Sequence, residues 1–181
     1  MGQLLDQLTE DYRTHGRGWT LPGFHAVAVY RVERWVRSQR GLPALWVRLI
    51  AGMLAMLIRN VYGIELPSRA RIGRRFKISH QSGIVIAPST RIGDDCRIRQ
   101  NVTIGGLGSL NQGAAAVAPR LGNRVYVASG AVLVGDITIG DDVHIGPNAV
   151  VMTDVPEGAT VFARPAQVIR GGANPAGQAA D

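Results

Sequence analysis

Residues 121–156 read LGNRVY VASGAV LVGDIT IGDDVH IGPNAV VMTDVP, six consecutive hexads that open on Leu121, Val127, Leu133, Ile139, Ile145 and Val151. Four places after each opening residue stands a second apolar or small one: Val125, Ala131, Ile137, Val143, Ala149 and Val155. The residue next to the aliphatic one is small in Gly122, Ala128, Gly140 and Gly146. A period of six fits neither an α-helix nor a simple alternating strand. It fits short flat strands joined by corners, each hexad forming one side of a triangular coil whose neighbours stack on it. The aliphatic residue fills the interior. Small residues flank the corners because a bulky side chain would collide with the turn there, and Gly or Asn tolerates positive φ where the chain bends.

The same period extends toward the N-terminus. Ile86, Ile92, Ile98 and Ile104 continue it with Thr90, Cys96 and Val102 at the second position. Beyond a two-residue slip, Leu66, Ile72, Ile78 and Ile84 carry it with Ala70, Phe76 and Ser82. The 17-residue spacing from Ile104 to Leu121 is not a multiple of six, and it holds Gly105, Gly106, Gly108, Gly113 and a run of alanines. These spacings predict an all-β solenoid, a left-handed parallel β-helix over 64–170, with an insertion looped out at 106–120. Such an interruption of a regular solenoid is usually functional.

The period changes before residue 64, where 1–63 reads as a small helical region and 171–181 as a flexible tail. Residues 1–20 look irregular. Ala26, Val29, Tyr30, Val32, Trp35 and Val36 mark a helix over about 21–40, and Pro43 suits the first turn of a second over 43–61 that ends near Gly63. The apolar segment Leu42 to Ile64 is interrupted by Arg48 and Arg59, leaving about half of the ~20 residues a bilayer-spanning helix needs. It is expected to pack against the rest of the protein; the alternative is peripheral membrane contact through the N-terminal helices.

The chain of 181 residues can bury one good core. Its 20 Lys and Arg face 13 Asp and Glu, a net charge of +7 that suits an anionic partner. The basic residues are scattered without interleaved aromatics, so nucleic acid is not expected. A phosphate-bearing nucleotide cofactor suits the sign. Cys96, the single cysteine, excludes an intrachain disulfide and a multi-thiolate metal site, and no metal is expected. Asp6, Glu10 and Asp11 occupy the place of a basic n-region, so no secretory signal is read and a cytoplasmic protein, at most one touching the inner face of the membrane, is expected.

Among the four histidines, His144 falls on an outward hexad position and His15 and His25 lie in the helical region. His80 stands at the slip, one coil ahead of the insertion, where a cleft can form, and a neutral imidazole there suits proton abstraction from a hydroxyl. Around it the sequence resembles the serine acetyltransferases and their relatives among the hexapeptide-repeat acyltransferases, over roughly residues 60–170. The resemblance rests on Gly63-Ile64-Glu65-Leu66-Pro67, on the run from Ile72 to His80, on Gly83-Ile84-Val85-Ile86, on Val102-Thr103-Ile104-Gly105-Gly106, and on Arg164-Pro165-Ala166. It implies direct acetyl transfer from acetyl-CoA to a hydroxyl in a homotrimer, with His80 as catalytic base. The family's orienting carboxylate lies fifteen residues before that histidine, which is Glu65 here, where the family generally has Asp. The resemblance also implies coenzyme contacts at Gly105, Gly106, Ala128, Arg164 and Pro165, with backbone N–H groups of Gly105 and Gly106 facing the oxyanion. Cys96, on an inward position, reads as packing rather than as a nucleophile.

Departures from the family bear on the acceptor. Serine acetyltransferases close the loop with Asp-Arg-His-Pro, whose Arg and His help hold the amino acid; here Ala116-Val117-Ala118-Pro119 stands there, and Ser79 replaces an acidic serine contact. Unpaired ammonium and carboxylate groups would cost such a site several kcal/mol. The stretch Trp19-Thr20-Leu21-Pro22-Gly23 followed by Tyr30-Arg31-Val32 resembles the enzymes of bacterial exopolysaccharide clusters, such as the colanic-acid type. Arg69, Arg71, Arg74, Arg75 and Lys77 could then meet a nucleotide sugar or a lipid-linked saccharide diphosphate near His80. The reading is therefore a saccharide O-acetyltransferase of exopolysaccharide biosynthesis; the alternatives are a serine O-acetyltransferase of cysteine biosynthesis and a noncatalytic β-helix. The ending Gly177-Gln178-Ala179-Ala180-Asp181 lacks the aliphatic terminus expected of a serine enzyme that docks on a partner synthase.

Overall fold

The computed structural model describes residues 2–106 and 117–167. The tail and most of the expected insertion lie outside these residues. From Ile64 onward the described chain winds into a three-faced prism of short parallel strands. Face 1 stacks β1 (Ile64–Glu65), β4 (Ile84–Ile86), β7 (Thr103–Gly105), β10 (Val132–Val134) and β13 (Val150–Val151). Face 2 stacks β2 (Arg71–Ile72), β5 (Arg91–Ile92), β8 (Arg120–Leu121) and β11 (Thr138–Ile139). Face 3 stacks β3 (Lys77–Ile78), β6 (Arg97–Ile98), β9 (Tyr126–Val127), β12 (His144–Ile145) and β14 (Thr160–Val161).

The hexad rule holds in three dimensions. Ile72, Ile92, Leu121 and Ile139 form one interior column and Ile78, Ile98, Val127 and Ile145 another, all buried. Fully burying each such side chain stabilises the fold by about 1.5–3 kcal/mol. Register also locates the two irregularities. Val85 pairs with Thr103, eighteen residues on, whereas Glu65 pairs with Val85 across twenty and Thr103 with Val132 across twenty-nine. The first coil thus carries two extra residues and the third eleven. The two sit in the corner Ser79–Gly83. Ile84, not Ser82, takes the interior position there, and Ser82 is exposed with φ at 91°. Ile84 therefore starts no hexad, a correction to the spacing read from sequence.

The helices are α1 (Gly2–Thr14), α2 (Pro22–Val36) and α3 (Leu42–Leu57), the last continued by a π-helical turn Ile58–Tyr62 and stopped at Gly63 with φ at 64°. Helix α1 corrects the irregular reading of residues 1–20. Its inward stripe is Leu4, Leu8, Asp11 and His15, and half of that stripe is polar, which hid the helical period. Asp11 is buried because Arg31 of α2 meets it at 2.8 Å.

These polar residues close the open end of the prism. The first coil has no coil before it, so its outward N–H and C=O groups need other partners. Tyr30 donates its hydroxyl to Ala70 O and accepts from Ile72 N–H. Arg31 donates to Ile72 O and Gly73 O, and Arg34 to Ala70 O. Gly23 lets α2 sit against β3, since a Cβ there would lie 2.2 Å from Ile78 O. Removing either partner of the buried Asp11–Arg31 pair would cost about 3–5 kcal/mol.

His15 belongs to this cap. Its ring hydrogen-bonds Asp11 O through Nδ1 at 2.7 Å and stands 3.3 Å from Ile78 N–H at Nε2. That arrangement is the neutral tautomer, with Nδ1 donating and Nε2 accepting. Burial is the main cause that holds its pKa below the ordinary imidazole value, against the opposing pull of the Asp11 carbonyl. The unfolded chain therefore binds this proton more readily than the native one, so the contribution of His15 is complete above the ordinary value of about 6.5 and is lost as pH falls below it. In urea unfolding between pH 7.5 and 5 we expect the wild type to lose more stability than His15→Gln (a range bracketing that value); parallel curves would refute the assignment.

Candidate functional site

The enlarged corner Ser79–Gly83 joins face 3 to face 1. Ser79 N–H donates to Ile98 O at 3.1 Å and Asn101 N–H to Ser82 O at 2.9 Å, so the corner is tied to the coil above at both ends. Between these ties His80 is exposed. Gly83 is required there: its φ is 65°, and a Cβ would come within 2.2 Å of Asn101 Oδ1. Gly63 lies against Ser82 and Gly83, and Ile84 N–H donates to Gly63 O. The residue that ends the helical region thus meets the corner that carries His80, and Glu65 follows two residues later on β1.

Glu65 and His80 share the first coil and both are exposed, but no hydrogen bond joins them among the described residues. Glu65 instead lines a cleft of about 360 Å3 between β1, α2 and α3, with Glu33, Arg37, Arg59 and Arg69 on its walls. His80 is not part of that cleft. Glu33 is pushed up from the ordinary carboxylate value by burial, against the pull of Arg37.

Gly105 and Gly106 leave face 1 at its other edge, toward face 2, where the insertion departs. Gly106 closely approaches the returning chain, since a Cβ would sit 2.3 Å from Val117 O, whereas nothing lies within 4 Å of the Cβ position at Gly105. Ala128 is buried at the corner of His80, two coils along, and its N–H donates to Ile145 O. Arg164 and Pro165 are exposed beyond β14. Within one chain, His80 and the mouth of the insertion at Gly105 and Gly106 therefore lie at different corners of the prism.

Only part of the expected basic flank remains available. Arg74 pairs with Glu10 and Arg75 with Asp95, both at the corner between faces 2 and 3, away from His80. Arg71 and Lys77 are outward on faces 2 and 3. The structure adds two residues that sequence reading missed. Arg99 and Gln100 follow Ile98, the register partner of Ile78, so they occupy the corner positions next to Ser79 and His80. Arg99 Nε and Gln100 Oε1 are buried without a hydrogen-bond partner among the described residues. Their signal was the register itself: twenty residues separate Ser79 from Arg99.

His144 is exposed beside Tyr126, as its outward position predicts, and His25 is held by Trp19 O and Tyr62 Oη. Among the described residues no cluster of His, Cys, Asp and Glu could hold a metal ion. Cys96 is buried in the prism interior with its thiol 3.2 Å from Gly122 O, and burial pushes it up to about 11.

Comparison with known proteins adds to this geometry. Residues 118–153 match the family model described as bacterial transferase hexapeptide (six repeats). The chain is 42% identical over 148 residues to a serine acetyltransferase of Helicobacter pylori, covering 82% of this chain and 81% of that one. It is 34% identical over 164 residues to a protein of Escherichia coli K12 named as a candidate colanic acid biosynthesis acetyltransferase, covering 89% of this chain and 98% of that one. A solved serine acetyltransferase isoform 3 of Entamoeba histolytica, in complex with cysteine, superposes with a TM-score of 0.74 at 27% identity. This chain is covered to 93% in that superposition and spans 62% of the length of the Entamoeba chain.

The state of Cys96 can be checked directly. A thiol so held is less than about 1% thiolate at pH 8. The native protein should resist a maleimide at that pH until denatured, and Cys96→Ala should keep at least about half of any transferase activity. Rapid labelling of the folded chain would place the thiol outside the core.

Proposed function

Because this chain belongs to the serine acetyltransferase-like hexapeptide-repeat acetyltransferases, we propose that it moves an acetyl group from acetyl-CoA to an acceptor hydroxyl, with His80 as the general base. The observation that carries this reading is an exposed imidazole in the enlarged corner of the first coil. His80 removes the hydroxyl proton as the oxygen attacks the thioester carbonyl. The resulting oxyanion is met by backbone N–H groups at Gly105 and Gly106. Collapse breaks the C–S bond, and the proton passes from His80 to the leaving thiolate. Glu65, on the same coil, is the carboxylate assigned to orient the imidazole, although no hydrogen bond joins the two among the described residues. Because His80 and Gly105–Gly106 lie at different corners, the reading calls for a homotrimer in which neighbouring copies complete each site.

We take the acceptor to be a saccharide hydroxyl. Val117 is exposed and Ala118 buried where a serine enzyme would present Arg and His, and Ser79 precedes His80. An uncharged wall suits a hydroxylated ring better than a zwitterion. Serine is the second reading, and sequence identity favours it: the Helicobacter serine acetyltransferase stands at 42% against 34% for the Escherichia protein, although the latter is matched over nearly its full length.

Two measurements test the proposal. His80→Ala should lower kcat at least ~10²-fold with acetyl-CoA affinity nearly unchanged, because loss of a general base acts on the transition state. An unchanged kcat would move the site elsewhere. With thiol release from acetyl-CoA as the readout, kcat/KM for L-serine should fall at least ~10³-fold below that for the best nucleotide-sugar or lipid-linked acceptor. Saturable turnover of L-serine at millimolar concentration would establish the serine reading instead.

A further inference from the structure

Helix α3 packs on the body of the protein by a single stripe, Val47, Ala51, Ala55 and Ile58, of which Ala51 and Ile58 are fully buried. Much of the rest of its described surface is apolar and open. Trp46, Leu49, Ile50, Met53 and Leu57 are between 52% and 66% exposed. Soluble chains seldom present so wide an apolar face without a partner for it. The sequence expectation that this segment packs against the rest of the protein holds for the stripe alone.

Charge says what that partner is. From Arg34 to Ile64 the chain has five arginines, Arg34, Arg37, Arg40, Arg48 and Arg59, and no Asp or Glu. Arg48 is spent on the carbonyls of Val36, Arg37 and Gln39, which fixes the start of α3 against the end of α2. Arg37, Arg40 and Arg59 are exposed around the helix. An apolar helix face rimmed by cations is complementary to an anionic phospholipid surface, with the apolar side chains below the headgroups and the guanidinium groups among them. We propose that α3 docks the protein on anionic membranes as an in-plane anchor.

A spanning helix would have to stand free of the body, whereas this one lies along α2 through its buried stripe and runs through the turn Ile58–Tyr62 directly into β1. It lies flat. Gly52, Ala55, Met56 and Arg59 of this segment also wall the cleft that holds Glu65, so docking sets that cleft at the headgroup layer. The inference does not depend on which acceptor is acetylated.

Flotation of the full chain with vesicles decides it. Vesicles of phosphatidylcholine with about a third phosphatidylglycerol should carry at least ~10-fold more protein than phosphatidylcholine alone, less so at high salt. The pair Leu49→Glu and Met53→Glu should abolish the binding without changing thermal stability or sedimentation mass, both side chains being exposed. Arg37→Glu with Arg40→Glu should remove the preference for anionic lipid. In a variant with Trp19→Phe and Trp35→Phe, Trp46 emission should shift to the blue on anionic vesicles. Absence of wild-type flotation, or flotation indifferent to the glutamates, overturns the proposal. A smaller assembly in the glutamate variant also overturns it, because the face would then be covered by a second copy of the chain.

Discussion

A β-helix of stacked coils has one weakness that each coil passes to the next: whichever coil comes first has no partner for its outward backbone groups and no lid for its apolar interior. In this protein α2 solves both. Tyr30 lies over the interior while its hydroxyl takes the place of a strand, accepting from Ile72 and donating to Ala70, and Arg31 supplies two more donors from one guanidinium. Asp11 of α1 holds Arg31 in place, and His15, one residue beyond that helix, accepts from Ile78 N–H. Burying a charge and an imidazole here is tolerable because each is satisfied, and the cost of undoing one member falls on the others. Since every later coil takes its register from the one before, the position of the His80 corner depends on this cap.

The two irregularities of the prism differ in kind because of where they fall. Two extra residues at the corner Ser79–Gly83 are too few to leave the solenoid, so they bulge and turn His80 outward, with Gly83 and the strained Ser82 absorbing the bend. Eleven extra residues at the other edge of face 1 are enough to leave it altogether. A single chain therefore separates His80 from the glycines at the mouth of the insertion. Association of copies is the economical way to reunite two corners of a prism, since its flat faces also gain partners.

The hexad spacing made the prism legible because its interior columns admit almost nothing but Ile, Val, Leu and small residues. It failed where a polar residue does an apolar residue's work. Helix α1 was invisible because Asp11 and His15 occupy two of the four inward positions of this segment, and no periodicity of apolar residues can announce a stripe that is half polar. Ser82 was placed inside because spacing alone cannot say on which side of Ile84 a two-residue slip falls; only the pairing of Ile64 with Ile84 does. Of the site, His80 and Glu65 could be named from sequence, while Arg99 and Gln100 could not, because their relation to His80 exists only across a coil. The spread of Arg74 and Arg75 into ion pairs was equally hidden, as Glu10 and Asp95 are distant along the chain.

Charge in this molecule is unevenly placed. On the prism some arginines are matched, Arg75 with Asp95, Arg124 with Asp142 and Arg120 with Asp136, whereas Arg71, Arg91 and Arg97 stand outward without an ion-pair partner among the described residues. These exposed pairs contribute little stability each. The segment Arg34 to Ile64 holds five arginines between Glu33 and Glu65 and no carboxylate of its own. That segment is also where the apolar surface is left open. A cationic rim without an apolar face would suggest a soluble anion, and an apolar face without a rim would suggest another protein. Their coincidence on one helix favours the proposed anionic lipid surface, next to the wall of the cleft that carries Glu65.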